Sequence, residues 1–138
     1  MRKLLGIAAA LAAAGCAADA QVEADRTAMA ERTEASLAEQ LRGYRPAGPP
    51  LSCVNLRQLH GNRSAGEGAI VFRASGGRLY VNRPAAGCPQ MQFGRHLQFR
   101  TTTSQICRGE IVTVVEPSFG GDFGSCVLGD FEPYRKAR

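Results

Sequence analysis

The chain has 138 residues, 44% of them hydrophobic, and a formal net charge of +5. This length accommodates one small domain with accessory segments and excludes a second large domain. The positive charge lies mostly in residues 51–138, where 11 basic side chains accompany 6 acidic ones. Such a balance favours an anionic partner such as lipid, polysaccharide or nucleic acid, although spaced arginines are also typical of an ordinary solvated surface.

Residues 1–20 have the pattern of a signal peptide. Arg2 and Lys3 precede an apolar run over residues 4–14, which is too short to remain as a membrane-spanning helix. Residues 13–16 resemble a lipobox ending in Cys16, and residues 18–20 resemble a site for ordinary signal peptidase. We therefore predict export to the periplasm, either as a lipoprotein acylated at Cys16 and anchored in the membrane or as a soluble periplasmic or secreted protein.

The next segment is predicted to connect this leader to a folded domain. Residues 21–42 are rich in Ala, Glu, Arg and Gln, which favour a helix, and Gly43 is a typical helix end. Because the apolar stripe is thin, we predict a weakly packed helical stalk or a disordered tether. The proline-rich residues 45–50 predict a boundary, with a domain over residues 51–134 and a basic, frayed tail over residues 135–138.

The domain shows alternating apolar positions between glycine-rich turns and no further helix pattern. This predicts an all-β fold, a small antiparallel barrel or sandwich of about six short strands. The strands are predicted at residues 53–59, 69–74, 78–83, 97–101, 111–115 and 126–128. Residues 111–115 are apolar on both faces of a strand, so we expect that strand to be the most buried.

The rest of the domain is organised around the hairpin predicted over residues 69–83. With Gly76 and Gly77 as a two-residue loop, Ala74 pairs with Leu79, and alternation gives the hairpin one apolar and one polar face. The apolar face carries Ile70, Phe72, Ala74, Leu79 and Val81. We predict that the polar face, together with one arginine from the following strand, is a binding surface made of Arg73, Arg78, Tyr80, Asn82 and Arg100.

Apart from Cys16, the chain has four cysteines, at Cys53, Cys88, Cys107 and Cys126. An even number of cysteines in an exported domain predicts two structural disulfides, and the lack of a C-x-x-C pair argues against a metal or redox site. No metal and no cofactor is therefore predicted. Sequence alone leaves the pairing open, and chain order favours Cys53 with Cys126 and Cys88 with Cys107.

The sequence contains no recognisable catalytic constellation. Its histidines, His60 and His96, accompany no G-x-S-x-G motif, and its carboxylates show no spacing that would place two of them across a cleft. We therefore predict a non-enzymatic binding or scaffolding module. One alternative is a small enzyme or enzyme inhibitor that acts through the loop at residues 117–125, with Asp122 and Glu110 as acids. Another is a polyanion-binding module.

Several short motifs resemble one family. They are Cys53 in the first strand, RLYVNRP at the end of the hairpin, Cys88-Pro89, FRTTTSQIC and the ending C-x-L-G-x-F-x-P. The chain resembles, over about residues 51 to 133, an uncharacterised family of short exported proteins of Gram-negative proteobacteria, many with lipoprotein leaders. The resemblance implies a location in the envelope and the limits of the domain. It implies no catalytic residues, and it leaves the partner, an envelope protein or an anionic component, and the oligomeric state open.

Overall fold

The computed structural model of the chain describes the backbone of residues 5–92 and 94–138, and their side chains from residue 15 onward. Arg2 and Lys3 of the predicted leader lie outside the described residues. One helix, α1 (Leu5–Gln40), is followed by ten strands. The strands are β1 (Tyr44–Pro46), β2 (Cys53–Asn55), β3 (Leu59–Ala65), β4 (Ala69–Ala74), β5 (Arg78–Asn82), β6 (His96–Gln98), β7 (Gln105–Cys107), β8 (Ile111–Val115), β9 (Asp122–Val127) and β10 (Phe131–Lys136).

The strands form three antiparallel sheets. The largest has the order β1-β10-β5-β4-β3, β2 pairs with β7, and β6, β8 and β9 form a third sheet in the order β6-β8-β9. The predicted antiparallel β fold is confirmed, but the sheets do not close into a barrel, and there are more and shorter strands than expected. Within the described residues, no helix is both long enough and apolar enough to cross a membrane.

The hairpin of β4 and β5 forms, but in a register one residue away from the predicted one. Phe72 lies opposite Tyr80 and Ala74 opposite Arg78, so the loop has three residues rather than two. Gly76 and Gly77 both have a positive φ, and the backbone N–H of Ser75 donates to Gln58 of the preceding segment, which removes Ser75 from the hairpin ladder. A shift of one residue exchanges the two faces of β5, because side chains alternate along a strand.

Both faces of this hairpin are buried, which corrects the prediction of one apolar and one polar face. Ile70, Phe72 and Tyr80 belong to a core between the large sheet and the two smaller sheets, which we call the disulfide-side core. Val71 and Val81 belong to a second core beneath α1, which we call the helix-side core. The strands β4 and β5 are interior strands of the sheet, and both of their faces have a cover.

The strand β8 was expected to be the most buried, and this was wrong. Val112 and Val114 point into the disulfide-side core, whereas Ile111 is 72% exposed. The outer face of the sheet formed by β6, β8 and β9 has no cover within the described residues, so β8 is buried on one side only. The more continuously buried strand is β4.

The last turns of α1 dock on the large sheet and are neither a weakly packed stalk nor a disordered tether. Leu37 enters the helix-side core, and Thr33 is buried against the β3–β4 loop, where its hydroxyl accepts a hydrogen bond from the Gly68 N–H at 3.0 Å. A Cβ at Gly68 would lie 2.8 Å from that hydroxyl oxygen, so glycine permits the close approach. Residues 15–27 are exposed.

An ion pair also joins the helix to the sheet. Arg83, which follows β5, donates to Glu34 of α1 at 2.6 Å and to Glu132 of β10 at 3.2 Å. The hydrogen bond that Arg83 donates to Glu34 is the largest cause that raises the pKa of Arg83 above the usual value of an arginine, and Glu132 adds to it. Both carboxylates therefore favour the charged form of this guanidinium.

The sheet extends beyond the domain limits that were predicted. β1, which lies before residue 51, pairs with β10 through Tyr44 opposite Lys136 and Arg45 opposite Arg135. The start of the proline-rich segment is therefore part of the edge strand β1, and Arg135 and Lys136 are strand residues rather than part of a frayed tail. The local sequence gave no signal for this pairing because the two strands are far apart in the chain.

The four domain cysteines form two disulfides, as predicted, but the pairing is different. Cys53 is bonded to Cys107, directly opposite it on the β2–β7 ladder, with a Cα–Cα distance of 4.0 Å. Cys88 is bonded to Cys126 of β9, with a Cα–Cα distance of 5.5 Å. The first strand of the domain pairs with β7 and not with the last strand, so the expectation from chain order failed. Two disulfides indicate an oxidising, exported compartment.

Candidate anion-binding site

The predicted binding surface does not form a single surface. Arg73 and Arg78 lie on opposite faces of the large sheet, because Arg73 is opposite Leu79 and Arg78 is opposite Ala74. Tyr80 is only 5% exposed and Asn82 is fully buried. The last member, Arg100, lies on the exposed segment after β6.

Asn82 has a structural role. Its side-chain N–H donates to the Gly129 carbonyl at 2.7 Å, and its carbonyl oxygen accepts from the Gly129 N–H at 2.8 Å. A Cβ at Gly129 would lie 2.5 Å from the Arg83 carbonyl oxygen, so this close approach requires glycine. The amide of Asn82 satisfies both backbone groups of the connection between β9 and β10, and it is not available to a ligand.

A different set of basic residues does meet at one end of the large sheet. Arg45 of β1 lies opposite Arg135 of β10, and Arg135 lies opposite Arg78 of β5. Because directly paired residues share a face, the three side chains form a line across three adjacent strands, which we call the arginine row. Adjacent strands are about 4.8 Å apart, so the row is about 10 Å long.

The arginine row forms no salt bridge within the part of the chain that the structure describes. Within the described residues, no carboxylate lies within salt-bridge distance of Arg45, Arg78, Arg135 or the adjacent Lys136. Arg78 instead donates to two neutral acceptors, the Ser75 carbonyl at 3.1 Å and the Gln58 side chain at 3.3 Å. The arginines that do have an acidic partner are Arg26, Arg32, Arg83, Arg95 and Arg108.

Two depressions flank the arginine row, and both are lined by Arg78 and Arg135. One is open and is lined also by Gly76, Gly77 and Lys136. The other is a cleft of about 170 Å³, whose remaining walls are mostly apolar. They are formed by Ala47, Gly48, Pro49, Leu51, Tyr80 and Pro133. Of the predicted surface, therefore, Arg78 and the edge of Tyr80 contribute to this site.

The groups considered for catalysis are not brought together. Glu110 accepts a hydrogen bond from the Cys107 N–H at 3.2 Å and so stabilises the turn before β8. His60 is hydrogen-bonded to Ser75 at 2.7 Å, on a different sheet from His96 and Asp122.

His96 and Asp122 both lie beside Val115 on neighbouring strands, which separates their Cα atoms by about 10 Å. The predicted loop at residues 117–125 is partly strand, since β9 begins at Asp122. Its Phe123 ring lies 3.7 Å from the guanidinium of Arg95, which also pairs with Glu116. Within the described residues, no cluster of His, Cys, Asp or Glu could hold a metal ion.

Two residues of the arginine row were missed from the sequence. Arg45 was assigned to a linker and Arg135 to a tail, and nothing in their local sequence indicates a site. Their alignment depends on the pairing of β1 with β10 and of β10 with β5, which joins distant parts of the chain. No protein-family model, curated protein or solved structure matches this chain. The case for the arginine row therefore rests on its geometry and charge.

Proposed function

We propose that this protein is an exported, non-enzymatic binding module of the cell envelope that holds an anionic partner at the arginine row. The observation that carries the proposal is the alignment of Arg45, Arg135 and Arg78 with no carboxylate in salt-bridge distance, within the part of the chain that the structure describes. Among the described residues, five other arginines have such a partner, and the arginines that lack one elsewhere, such as Arg57, Arg63 and Arg100, are not aligned with each other on adjacent strands. At the arginine row, an anion from a binding partner would neutralise the positive charge as carboxylates do elsewhere.

The energetics of the sheet support this proposal. Like charges directly opposite each other on adjacent strands destabilise a sheet. The row contains two such pairs, Arg45 with Arg135 and Arg135 with Arg78. Arginine also presents a planar fork of N–H donors, which suits carboxylate and phosphate groups. A row of arginines that weakens the free protein is thus well suited to a bound anion.

The location is part of the proposal. Two disulfides support an oxidising compartment, and we propose that a signal peptide is cleaved immediately before Cys16, which is exposed and outside both disulfides, and that Cys16 is then acylated. The helix from Cys16 to the docked Thr33 is about 25 Å long, which would hold the domain away from the membrane surface. A soluble periplasmic form is the alternative.

Membership of the exported proteobacterial family stays a prediction of the sequence. For the fold, we favour a sandwich, because the two smaller sheets pack on one face of the large sheet around a common core. Both points concern where the module is displayed and how it is built, and the anion site does not depend on either.

The proposal is tested with two triple variants that lose the same charge. One changes the row (Arg45→Gln, Arg78→Gln and Arg135→Gln), and the control changes three exposed arginines elsewhere that have no acidic partner in the structure (Arg57→Gln, Arg63→Gln and Arg100→Gln). On a heparin column, the row variant is expected to elute at clearly lower salt than the control, because fewer counterions are displaced at a focused site. Equal elution of the two variants would show only a diffuse basic surface and would contradict the proposal.

A further inference from the structure

The amount of positive charge at the arginine row narrows the class of anion. Arg45, Arg78 and Arg135 lie on one face at one end of one sheet without an acid in salt-bridge distance among the described residues, whereas the adjacent Lys136 is paired with Tyr44 on the other face. A carboxylate has a single charge and would neutralise one of these three arginines. A phosphate monoester has a charge of about −1.5 to −2 at neutral pH and three strong acceptor oxygens, and it can bridge adjacent guanidinium groups.

The side chain of Arg78 is already held in place before any ligand binds. Its Nε–H donates to the Ser75 carbonyl, and one terminal nitrogen donates to the Gln58 side chain, so the guanidinium is held by two neutral acceptors. A guanidinium has five N–H donors, and the remaining ones are free to bind an anion. A side chain that is held in place before binding loses less conformational entropy when the ligand arrives.

The adjoining cleft offers a place for the group that carries the phosphate. Its walls include Pro49, Pro133, the edge of Tyr80 and Leu51, which is 40% exposed although it lies next to the core. At about 170 Å³, it holds a group the size of one ring. Arg78 and Arg135 form one side of the cleft, so a ligand seated there meets the row directly.

This cleft is preformed. Leu51 and Phe131 exchange two backbone hydrogen bonds of 2.8 and 2.9 Å, and the Ala47 N–H donates to the Pro133 carbonyl at 2.9 Å. These bonds fix the segment after β1 against β10 and set the width of the cleft. An apolar group can therefore enter without a prior rearrangement of the backbone.

We infer that the site takes a phosphate monoester on a compact, largely apolar carrier, with the phosphate on the arginine row and the carrier in the cleft between Leu51 and Pro133. This inference rests on the proposed function, since it identifies the anion bound by the same arginines. A soluble metabolite and a lipid headgroup could both present this chemistry.

The inference is tested by calorimetric titration of the protein, with both disulfides intact, against phenyl phosphate, inorganic phosphate and benzoate. Phenyl phosphate is expected to bind at least about tenfold more tightly than either of the others, because it alone uses both the row and the cleft. Equal affinity for phenyl phosphate and inorganic phosphate would overturn the inference. It would leave the proposed function intact, provided that the row variant loses both ligands.

Two matched substitutions separate the cleft from the row. Leu51→Ser should remove most of the advantage of phenyl phosphate and leave inorganic phosphate binding unchanged, which also shows that the variant is folded. The control is Val127→Ser, which changes a half-exposed apolar side chain on β9, away from the site, and should alter neither affinity. A Leu51→Ser variant that keeps the full preference for phenyl phosphate would overturn the role of the cleft.

Vesicles distinguish the two sources of the phosphate. Binding to vesicles that contain phosphatidic acid, a phosphate monoester, with displacement by phenyl phosphate and weaker binding to phosphatidylglycerol, a diester, would assign the lipid headgroup. Binding of phenyl phosphate without binding to either vesicle would assign a soluble ligand. Equal binding to both lipids, with no effect of phenyl phosphate, would overturn the preference for a monoester.

Discussion

The two faces of the large sheet are covered in different ways. The disulfide-side core lies beneath two small sheets and contains an aromatic cluster, in which the Phe131 ring is 5.7 Å from Phe72 and 6.4 Å from Tyr80. The helix-side core is smaller and mostly aliphatic, and its cover is the end of α1, held through Leu37 and Thr33. Both disulfides join segments of the first cover.

This difference shows where the fold needs covalent help. Strands of three residues contribute little stability on their own, and the small sheets that cover the disulfide-side core include β2, β6 and β7 of that length. The helix needs no disulfide, because its backbone hydrogen bonds form within the helix itself. Only one face of its last turns has to pack against the sheet. We therefore expect the first cover to be lost only with global unfolding and the helix to detach locally.

The largest effect is expected from Phe131→Ala in the disulfide-side core. Phe131 is fully buried and contacts the aromatic cluster, so its removal should reduce the free energy of unfolding by about 3–5 kcal/mol. Urea denaturation measures this change. The control, Phe119→Ala, alters a ring that is 85% exposed and should stay within about 0.5 kcal/mol of the parent protein. Similar losses in the two variants would contradict the placement of the core.

The next largest effect is expected from removal of a disulfide. Replacing Cys88 and Cys126 by alanine should reduce the free energy of unfolding by about 2–4 kcal/mol. The unfolded chain gains conformational freedom, and the core loses two buried sulfur atoms. Replacing Cys53 and Cys107 by alanine opens a loop of 54 residues, compared with 38 for the other disulfide. Because Cys53 and Cys107 are only partly buried, the loss in the free energy of unfolding should be smaller. Urea denaturation of the two double variants gives the comparison, and the opposite order would contradict it.

On the helix side, Leu37→Ala should reduce the free energy of unfolding by about 2–3 kcal/mol. This is less than the loss expected for Phe131→Ala, because the helix-side core is smaller. Hydrogen exchange should show that amides of α1 near Thr33 become less protected while those of β8 are unchanged, since the helix detaches locally. The control is Val22→Ala, on the exposed part of α1. Equal loss of protection in α1 and β8 would mean that the two covers unfold as one unit.

The contact between Thr33 and Gly68 tests the same docking more finely. Gly68→Ala should reduce the free energy of unfolding by about 1–3 kcal/mol, because the added Cβ would lie 2.8 Å from the Thr33 hydroxyl oxygen. Combined with Thr33→Ala, which removes that oxygen, the loss should be smaller than the sum of the single losses. A double-mutant cycle in urea measures this coupling, and strict additivity would show that the helix does not dock here.

The smallest effect is expected at the arginine row, and it has the opposite sign. Changing only Arg45 and Arg135 to glutamine, which leaves the hydrogen bonds of Arg78 in place, should raise the free energy of unfolding by less than about 1 kcal/mol in low salt, because both like-charge pairs are removed. Added salt should reduce this gain by screening the repulsion in the parent protein. A double variant that is less stable than the parent at low salt would show that Arg45 or Arg135 has a stabilising partner within the protein and would contradict the repulsion.

The sequence by itself determined the class of structure and the chemistry of its cross-links. Alternation of apolar residues between glycine turns dictates antiparallel strands, and an even number of cysteines in an exported chain dictates disulfides. These are local or compositional properties, which need no knowledge of neighbours. The helix was also readable from composition, but its docking was not, because the complementary groove at Gly66 and Gly68 lies on a distant loop.

Only the tertiary structure decided the register of the hairpin, the disulfide partners and the arginine row. In the observed register, Ser75 is hydrogen-bonded to Gln58 outside the hairpin, and Cys53 is paired with Cys107 because β2 lies beside β7. The row depends on the alignment of β1, β10 and β5. Each of these features joins residues far apart in the chain, and a side chain's face, partner and exposure are set by which strand lies beside it.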